Sequence, residues 1–156
     1  MILEAETPDG KSFISEKLNF GPEDAEEINR TTNSESKIKS TIENLNISAD
    51  AKSALYSIIN ATVRAGRFIV KIGRKILDVV IETLKNFPNA SFGLVLGGMM
   101  GILVASIPFI GAIMAPFLAP LAMIYGFVVG IKQDLNDKNL ANAIAEASAR
   151  FDNLRA

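Results

Sequence analysis

Lysine and arginine are the residues in this sequence whose spacing most clearly indicates chemistry. Cysteine, histidine and tryptophan are absent from the 156 residues. These absences exclude thiolate and imidazole metal sites, and they exclude nucleophiles activated by histidine. No nucleotide-binding motif is present either. We therefore expect no enzymatic activity, no cofactor and no metal, and the basic residues become the main candidates for binding.

Residues 51–87 contain most of these basic side chains. Stepping 100° per residue places the charged residues within an arc of about 100°, with apolar residues opposite. The pattern predicts one long amphipathic helix capped by Ser48 or Asp50, whose basic face contacts anionic lipid headgroups. The alternative is an ordinary bundle helix whose charged face is solvated. Asp78 and Glu82 interrupt the basic face and stacking aromatics are missing, so we expect no nucleic-acid binding. The predicted membrane-surface basic face consists of Arg64, Arg67, Lys71, Arg74, Lys75 and Lys85.

The element that would hold this face at a bilayer is the apolar segment after it. Residues 86–131 contain no charged side chain. Within them, 91–107 and 112–131 are two apolar runs of about the length that crosses a membrane. The pattern predicts an apolar transmembrane helical hairpin over 88–132. The alternative is a central hairpin buried inside a helical bundle.

Small residues recur every four positions along the first run, at Gly93, Gly97, Gly101 and Ala105. Close backbone approach through small residues drives helix association in lipid. We therefore expect this helix-packing face, a glycine zipper, to support a homo-oligomer or tight packing within the hairpin. Chance recurrence of glycine is the alternative.

Prolines and a glycine mark the predicted turn and kinks of the hairpin. Proline removes a helix donor and clashes with the preceding turn. Pro108 and Gly111 are expected to form the turn, and Pro116 and Pro120 to kink the second arm.

The two ends of the chain complete the predicted organisation. Residues 1–50 carry a net charge of −6, from eleven acids and five bases. They are expected to be a polar segment, partly disordered or with short helices beginning at Pro22 and Ser34, and to bind a protein partner. Residues 133–156 predict a C-terminal amphipathic helix with Leu140, Ile144 and Phe151 on its apolar stripe. The predicted fold class is all-α, a helical membrane protein.

In architecture, residues 51–156 resemble the pore-forming domains of colicin-type toxins, in which amphipathic helices shield an apolar hairpin. The resemblance implies a membrane-active protein that self-associates and permeabilises a bilayer, as a pore-former, holin or cell-death effector. The spacing of Pro108, Pro116 and Pro120 is similar to the proline knot of oleosins. The alternative function is a hairpin-anchored structural or scaffold subunit of a membrane-associated assembly, without pore activity.

The distribution of charge also predicts a location. Basic residues flank both ends of the apolar segment, at Lys85 and Lys132. The positive-inside tendency then places both termini on the cytoplasmic side of the membrane. The start of the chain lacks the basic and apolar regions of a secretory signal.

Overall fold

The computed structural model describes residues 2–6, 12–16, 20–87, 92–107, 109–111, 113–114 and 138–154. They form two compact units, Met1–Asp78 and Val79–Ala156. The strands are β1 (Ile2–Glu6), β2 (Ser12–Glu16), β3 (Val63–Ala65) and β4 (Phe68–Val70). The helices are α1 (Pro22–Thr31), α2 (Glu35–Glu43), α3 (Ala49–Ile59), α4 (Ile72–Asn86), α5 (Phe92–Ser106) and α6 (Lys138–Ser148), and a 3₁₀ helix follows at Ala149–Leu154.

The first unit contains an antiparallel sheet of strand order β2-β1-β3-β4. Both the beginning and the end of the unit contribute strands to this sheet, since Leu3 of β1 pairs with Ala65 of β3. Leu3, Ala5 and Ala65 are buried on one face, whereas Ile2 and Glu4 are exposed on the other. The alternation is that of a sheet with one face against a core.

The hairpin of β3 and β4 turns at Gly66 and Arg67. Ala65 pairs with Phe68, so the loop has two residues. Gly66 has φ 61°, and a positive φ at the first loop position matches the strand twist. Glycine reaches this conformation without the steric cost that a Cβ would add.

Three capped helices supply much of the core of this unit. The Asp24 carboxylate accepts from the backbone N–H of Gly21 at 2.8 Å at the start of α1. Ser34 caps α2, and Ser48 caps α3, each accepting from the backbone N–H three residues later. The predicted helix starts at Pro22, Ser34 and Ser48 are confirmed. The buried residues of these three helices include Ala25, Ile28, Ile38, Ile42, Leu55 and Ile58.

The first turn of α4 packs closely on the end of α3. The Gly73 backbone N–H donates to the carbonyl of Ala61 at 3.0 Å. A Cβ built on Gly73 would lie 1.9 Å from the carbonyl oxygen of Ile58. Any side chain larger than hydrogen is therefore incompatible with this approach.

In the second unit, α5 packs against α6. Leu96, Met99 and Leu103 of α5 are fully buried. Leu140 and Ile144 of α6 are buried, and Phe151 in the 3₁₀ helix is buried as well, so the predicted apolar stripe of the C-terminal helix is confirmed. Arg150 and Glu82 form a bidentate ion pair at 2.5 and 2.8 Å.

The prediction of one amphipathic helix over 51–87 is wrong, and the all-α class with it. Although the structure is mostly helical, helix α3 ends at Ile59 and a β-hairpin follows before α4 begins. Val63, Phe68 and Val70 favour strands, since β-branched and aromatic side chains pack well on a pleated surface. The positions of Val63 and Val70 also fit one face of a helix at 100° per residue, which explains the error.

The predictions of a transmembrane hairpin, of a membrane location with both termini on the cytoplasmic side, and of a pore-forming or toxin character are also contradicted. Among the residues described, no helix has both the length and the apolar character needed to cross a membrane. Helix α5 has 15 residues, whereas a span needs about 20. It buries Leu96, Met99 and Leu103 within its own unit. Pro116, Pro120 and most of the predicted second arm lie outside the described residues.

Candidate functional site

The structure distributes the predicted basic face over several elements. Arg64 lies on β3, Arg67 in the hairpin turn, and Lys85 in the last turn of α4, and all three are exposed. Lys71 precedes α4 and is half-buried. The remaining two, Arg74 and Lys75, lie in the first turn of α4.

These residues also have local roles in the first unit. Lys75 is buried. The Arg67 guanidinium lies 5.5 Å from the ring centroid of Phe68. The pKa of Glu35 is lowered by its hydrogen bond from Lys39, with smaller contributions from the charges of Arg74 and Lys71. Five of the predicted basic residues thus belong to the first unit, and Lys85 belongs to the second. Binding of anionic lipid by these residues stays a prediction.

The predicted helix-packing residues lie on α5 but differ in exposure. Gly93 and Gly97 are buried, Gly101 is half-buried and Ala105 is exposed. Their use in self-association stays a prediction. Among the predicted turn residues, Pro108 lies outside the described part. A Cβ on Gly111 would lie 3.1 Å from a methyl group of Val104, so the chain approaches α5 closely at this point.

A polar cleft lies between α4 and α6 in the second unit. Its volume is about 140 Å³, well below the ~300 Å³ of small ligand sites. The pair of Glu82 and Arg150 lines it, and each group satisfies the charge of the other. In the described ranges, no three carboxylates lie together as metal ligands would. The cleft therefore does not favour a substrate or cofactor site.

The exposed face of the sheet is a more distinctive surface. One row of directly facing residues crosses all four strands, in the order Ile14, Glu4, Arg64 and Ile69. Ile14 is 69% exposed and Ile69 is 40% exposed. Opposite charges thus lie at the centre of the row and apolar side chains lie on both edge strands.

The edge at β4 is covered by a side chain. Asn29 on α1 donates from its amide nitrogen to the carbonyl oxygen of Ile69 at 2.7 Å, and its side-chain carbonyl accepts from the N–H of Lys71 at 2.9 Å. The amide thereby bonds to the strand as a neighbouring backbone would. Covering an edge in this way blocks pairing with another chain.

These two bonds establish the side toward which the backbone groups of each residue point. In an antiparallel strand, the N–H and C=O groups of successive residues point alternately to the two neighbouring strands. Ile69 and Lys71 face α1, so Phe68 and Val70 face β3. Their partners on β3 are Ala65 and Val63. Arg64, between those two, therefore faces β1.

The same alternation continues to the other edge of the sheet. Arg64 is paired with Glu4, so Glu4 faces β3, and its neighbours Leu3 and Ala5 face β2. The partners of those two neighbours on β2 face back toward β1. The backbone N–H and C=O groups that point outward on β2 are therefore those of Ser12, Ile14 and Glu16.

Strand β2 is consequently an open edge among the strands that the structure describes. Natural edge strands carry lysine, proline or a bulge that discourages pairing. Ser12–Glu16 contains neither lysine nor proline, and its central residue, Ile14, is largely exposed. This edge and the adjoining sheet face form the candidate interaction site.

Sequence reasoning missed the whole of this site. Apolar residues at Val63, Phe68 and Val70 around Gly66 are a hairpin signal that an alternation of period two would have detected. No local signal relates Asn29 to Ile69, because that contact depends on how α1 packs on β4. No protein-family model, curated protein or solved structure matches the chain.

Proposed function

We propose that this chain is a non-enzymatic assembly protein, which joins polypeptide chains by accepting an added strand at the free edge of β2. The open row of outward backbone groups at Ser12, Ile14 and Glu16 carries the proposal. In strand addition, main-chain hydrogen bonds supply affinity and alternate side chains supply specificity. This proposal keeps the predicted protein partner of residues 1–50 and the predicted scaffold role.

The difference between the two sheet edges supports an interaction role. Asn29 bonds to the outward carbonyl of Ile69 on β4 and to the N–H of Lys71, the residue after the strand. No second strand pairs with β2 in the described part of the chain, and its central residue, Ile14, is 69% exposed. A sheet with one covered edge and one open edge offers a partner strand a single edge for pairing.

The chemistry of the sheet face indicates what kind of strand fits. Ile14 is exposed beside Glu4 on the same face. An added strand that places an apolar side chain opposite Ile14 would shield it from water, and cross-strand apolar pairs stabilise a sheet.

The permeabilising function is not carried forward, since it requires the membrane-spanning hairpin that the structure contradicts. The predicted scaffold was anchored by the same hairpin, so only its assembly role is kept, without the membrane anchor. This role depends on the first unit, whose sheet is formed by residues far apart in the chain.

Site-specific photo-crosslinking in the cells that make the protein tests this function. A photoreactive amino acid replaces Ser12 or Glu16 on β2 in the full chain, and Ile69 on β4 in a matched control. We expect ultraviolet light to link the β2 positions to a polypeptide chain and to leave the β4 control unlinked. The linked chain is then identified by mass spectrometry.

Proline at the centre of the edge provides the second arm of the test. In Ile14→Pro the outward N–H is lost while the bonds from β2 to β1 remain, and proline is tolerated at such edge positions. This substitution should abolish the crosslink from Ser12. Equal crosslinking from β2 and β4, or crosslinking unchanged by Ile14→Pro, would overturn the proposal.

A further inference from the structure

We infer that the chain added at β2 is a second copy of this chain, in an antiparallel β2–β2 pair whose two-fold axis passes beside Ile14. The inference rests on the proposed function and adds the identity of the partner. It follows from the self-complementarity of the strand Ser12–Glu16, as a two-fold interface requires.

The number of backbone hydrogen bonds selects the register. In an antiparallel pair, facing residues whose backbone groups point toward the partner exchange two hydrogen bonds. With Ile14 opposite the partner's Ile14, Ser12 faces Glu16 of the partner subunit and Glu16 faces the partner's Ser12. All three outward residues are then bonded in each copy. A shift of the axis by one residue in either direction leaves one of them without a facing residue on the described strand.

The side chains fit the same register. Glu16 is the charged residue of the strand, and it faces a serine rather than another carboxylate. The two Ile14 side chains, each 69% exposed in the single chain, pack against one another across the axis. The combined sheet then repeats the row of Ile69, Arg64, Glu4 and Ile14 in mirrored order on the second copy.

The oligomeric state of the purified full chain is the first measurement. Sedimentation equilibrium over a concentration series should show a reversible dimer. Ile14→Lys places two ammonium groups opposite each other at the axis, where like charges destabilise pairing. We expect it to raise the dimer dissociation constant by about tenfold or more. Ile69→Lys, the same substitution at an exposed isoleucine of the covered edge, should leave the constant unchanged.

Ile14→Pro is the second variant, and it removes one backbone donor from each copy at the axis. It too should raise the dissociation constant, whereas Ile14→Thr keeps the N–H and a β-branched side chain and should have the smaller effect. Circular dichroism of each variant establishes that the fold is retained. A monomer at every concentration, or a dimer that both Ile14→Lys and Ile14→Pro leave intact, overturns the inference.

Disulfide crosslinking tests the register directly, since the natural chain has no cysteine. In the proposed pair the Ile14 Cα atoms lie about 5.5 Å apart, within disulfide reach. The two Ser12 positions lie about 14 Å apart, which is beyond it. Mild oxidation should therefore link Ile14→Cys to itself and Ser12→Cys to Glu16→Cys in a mixture, but should not link Ser12→Cys to itself.

The disulfide, oligomeric-state and photo-crosslinking experiments together distinguish failure of this inference from failure of the proposed function on which it rests. Self-linking of Ser12→Cys as readily as of Ile14→Cys overturns the Ile14-centred register. A monomeric chain whose β2 crosslinks to a different polypeptide in the cell overturns the second copy and leaves the proposed function standing. Absence of both dimer and crosslink overturns both.

Discussion

Asn29 and Ile69 are joined by a hydrogen bond of 2.7 Å from the side-chain amide of one to the backbone carbonyl of the other. Together with the bond from Lys71 N–H to the Asn29 carbonyl, it closes one edge of the sheet and attaches α1 to β4. The difference between the two edges of the sheet begins with this side chain.

Replacing Asn29 with leucine should destabilise the fold. The substitution keeps the approximate volume and removes both bonds to the strand, leaving the part-buried Lys71 N–H without its acceptor. We expect a loss of about 1–2 kcal/mol in the free energy of unfolding, measured by urea denaturation. Asn44→Ala is the control, because its side chain bonds locally, from the C-cap of α2 to the carbonyl of Ser40. Equal effects of the two substitutions would show that Asn29 does not secure β4.

Gly73→Ala should be more harmful than an ordinary glycine substitution in a helix. The added Cβ would lie 1.9 Å from the Ile58 carbonyl oxygen and 2.9 Å from the Ala61 Cβ. Alanine normally gains up to about 1 kcal/mol over glycine in a helix, but overpacking here should produce a net loss of about 1–3 kcal/mol. Gly21→Ala, where no atom lies within 4 Å of the new Cβ, should cost less. A Gly73→Ala protein at least as stable as the parent in thermal unfolding would contradict this packing.

The Glu82 and Arg150 pair should contribute a small, pH-dependent stability. The hydrogen bond from Arg150 lowers the pKa of Glu82 below its ordinary value, against a smaller opposing effect of burial. The folded pKa is thus lower than the unfolded pKa. Stabilisation is present above the unfolded value of about 4.3 and is lost as the pH falls through the folded value.

A double-mutant cycle of Glu82→Gln and Arg150→Gln measures this contribution. Both side chains are about half exposed, so we expect a coupling free energy of no more than about 1 kcal/mol at pH 7. The coupling should shrink in urea titrations at a pH below the folded pKa of Glu82. Coupling that persists at the lower pH would mean that a contact other than the ion pair produces it.

Helix α5 should behave as core in the second unit. Leu103 is fully buried, so Leu103→Ala should cost about 2–5 kcal/mol through lost burial and the cavity left behind. Ala105 lies two residues away on the same helix and is exposed. Ala105→Ser should change stability by less than about 0.5 kcal/mol. Comparable effects on the urea midpoint would show that α5 does not bury Leu103.

Local features of the sequence correctly predicted several helices. Pro22, Ser34 and Ser48 mark helix starts because N-capping and the constraint of proline act within one turn of chain. Leu140, Ile144 and Phe151 form an apolar stripe whose burial follows from their spacing. In each case the deciding interaction lies between residues close in sequence.

The hairpin at residues 63–70 was not predicted because its apolar spacing satisfies two periods. Val63 and Val70 suit a helix face or a buried strand face equally well. Pairing of Arg64 with Glu4 distinguishes the two, and it involves residues from distant parts of the chain. The free edge at Ile14 and the cover at Asn29 were beyond prediction for the same reason.

The sequence by itself thus determined the capped helix starts, the amphipathic C-terminal helix and the exclusion of thiol and imidazole chemistry, since each depends on residue type or on neighbours within a few positions. Only the tertiary structure decided that residues 63–70 form a hairpin, that Leu96 and Leu103 are buried inside a compact unit, and that β2 is the outer strand of the described sheet while Asn29 covers β4. An apolar side chain must leave water, but its own sequence does not specify the surface that covers it. That surface is supplied by residues elsewhere in the chain and exists only once they are folded together.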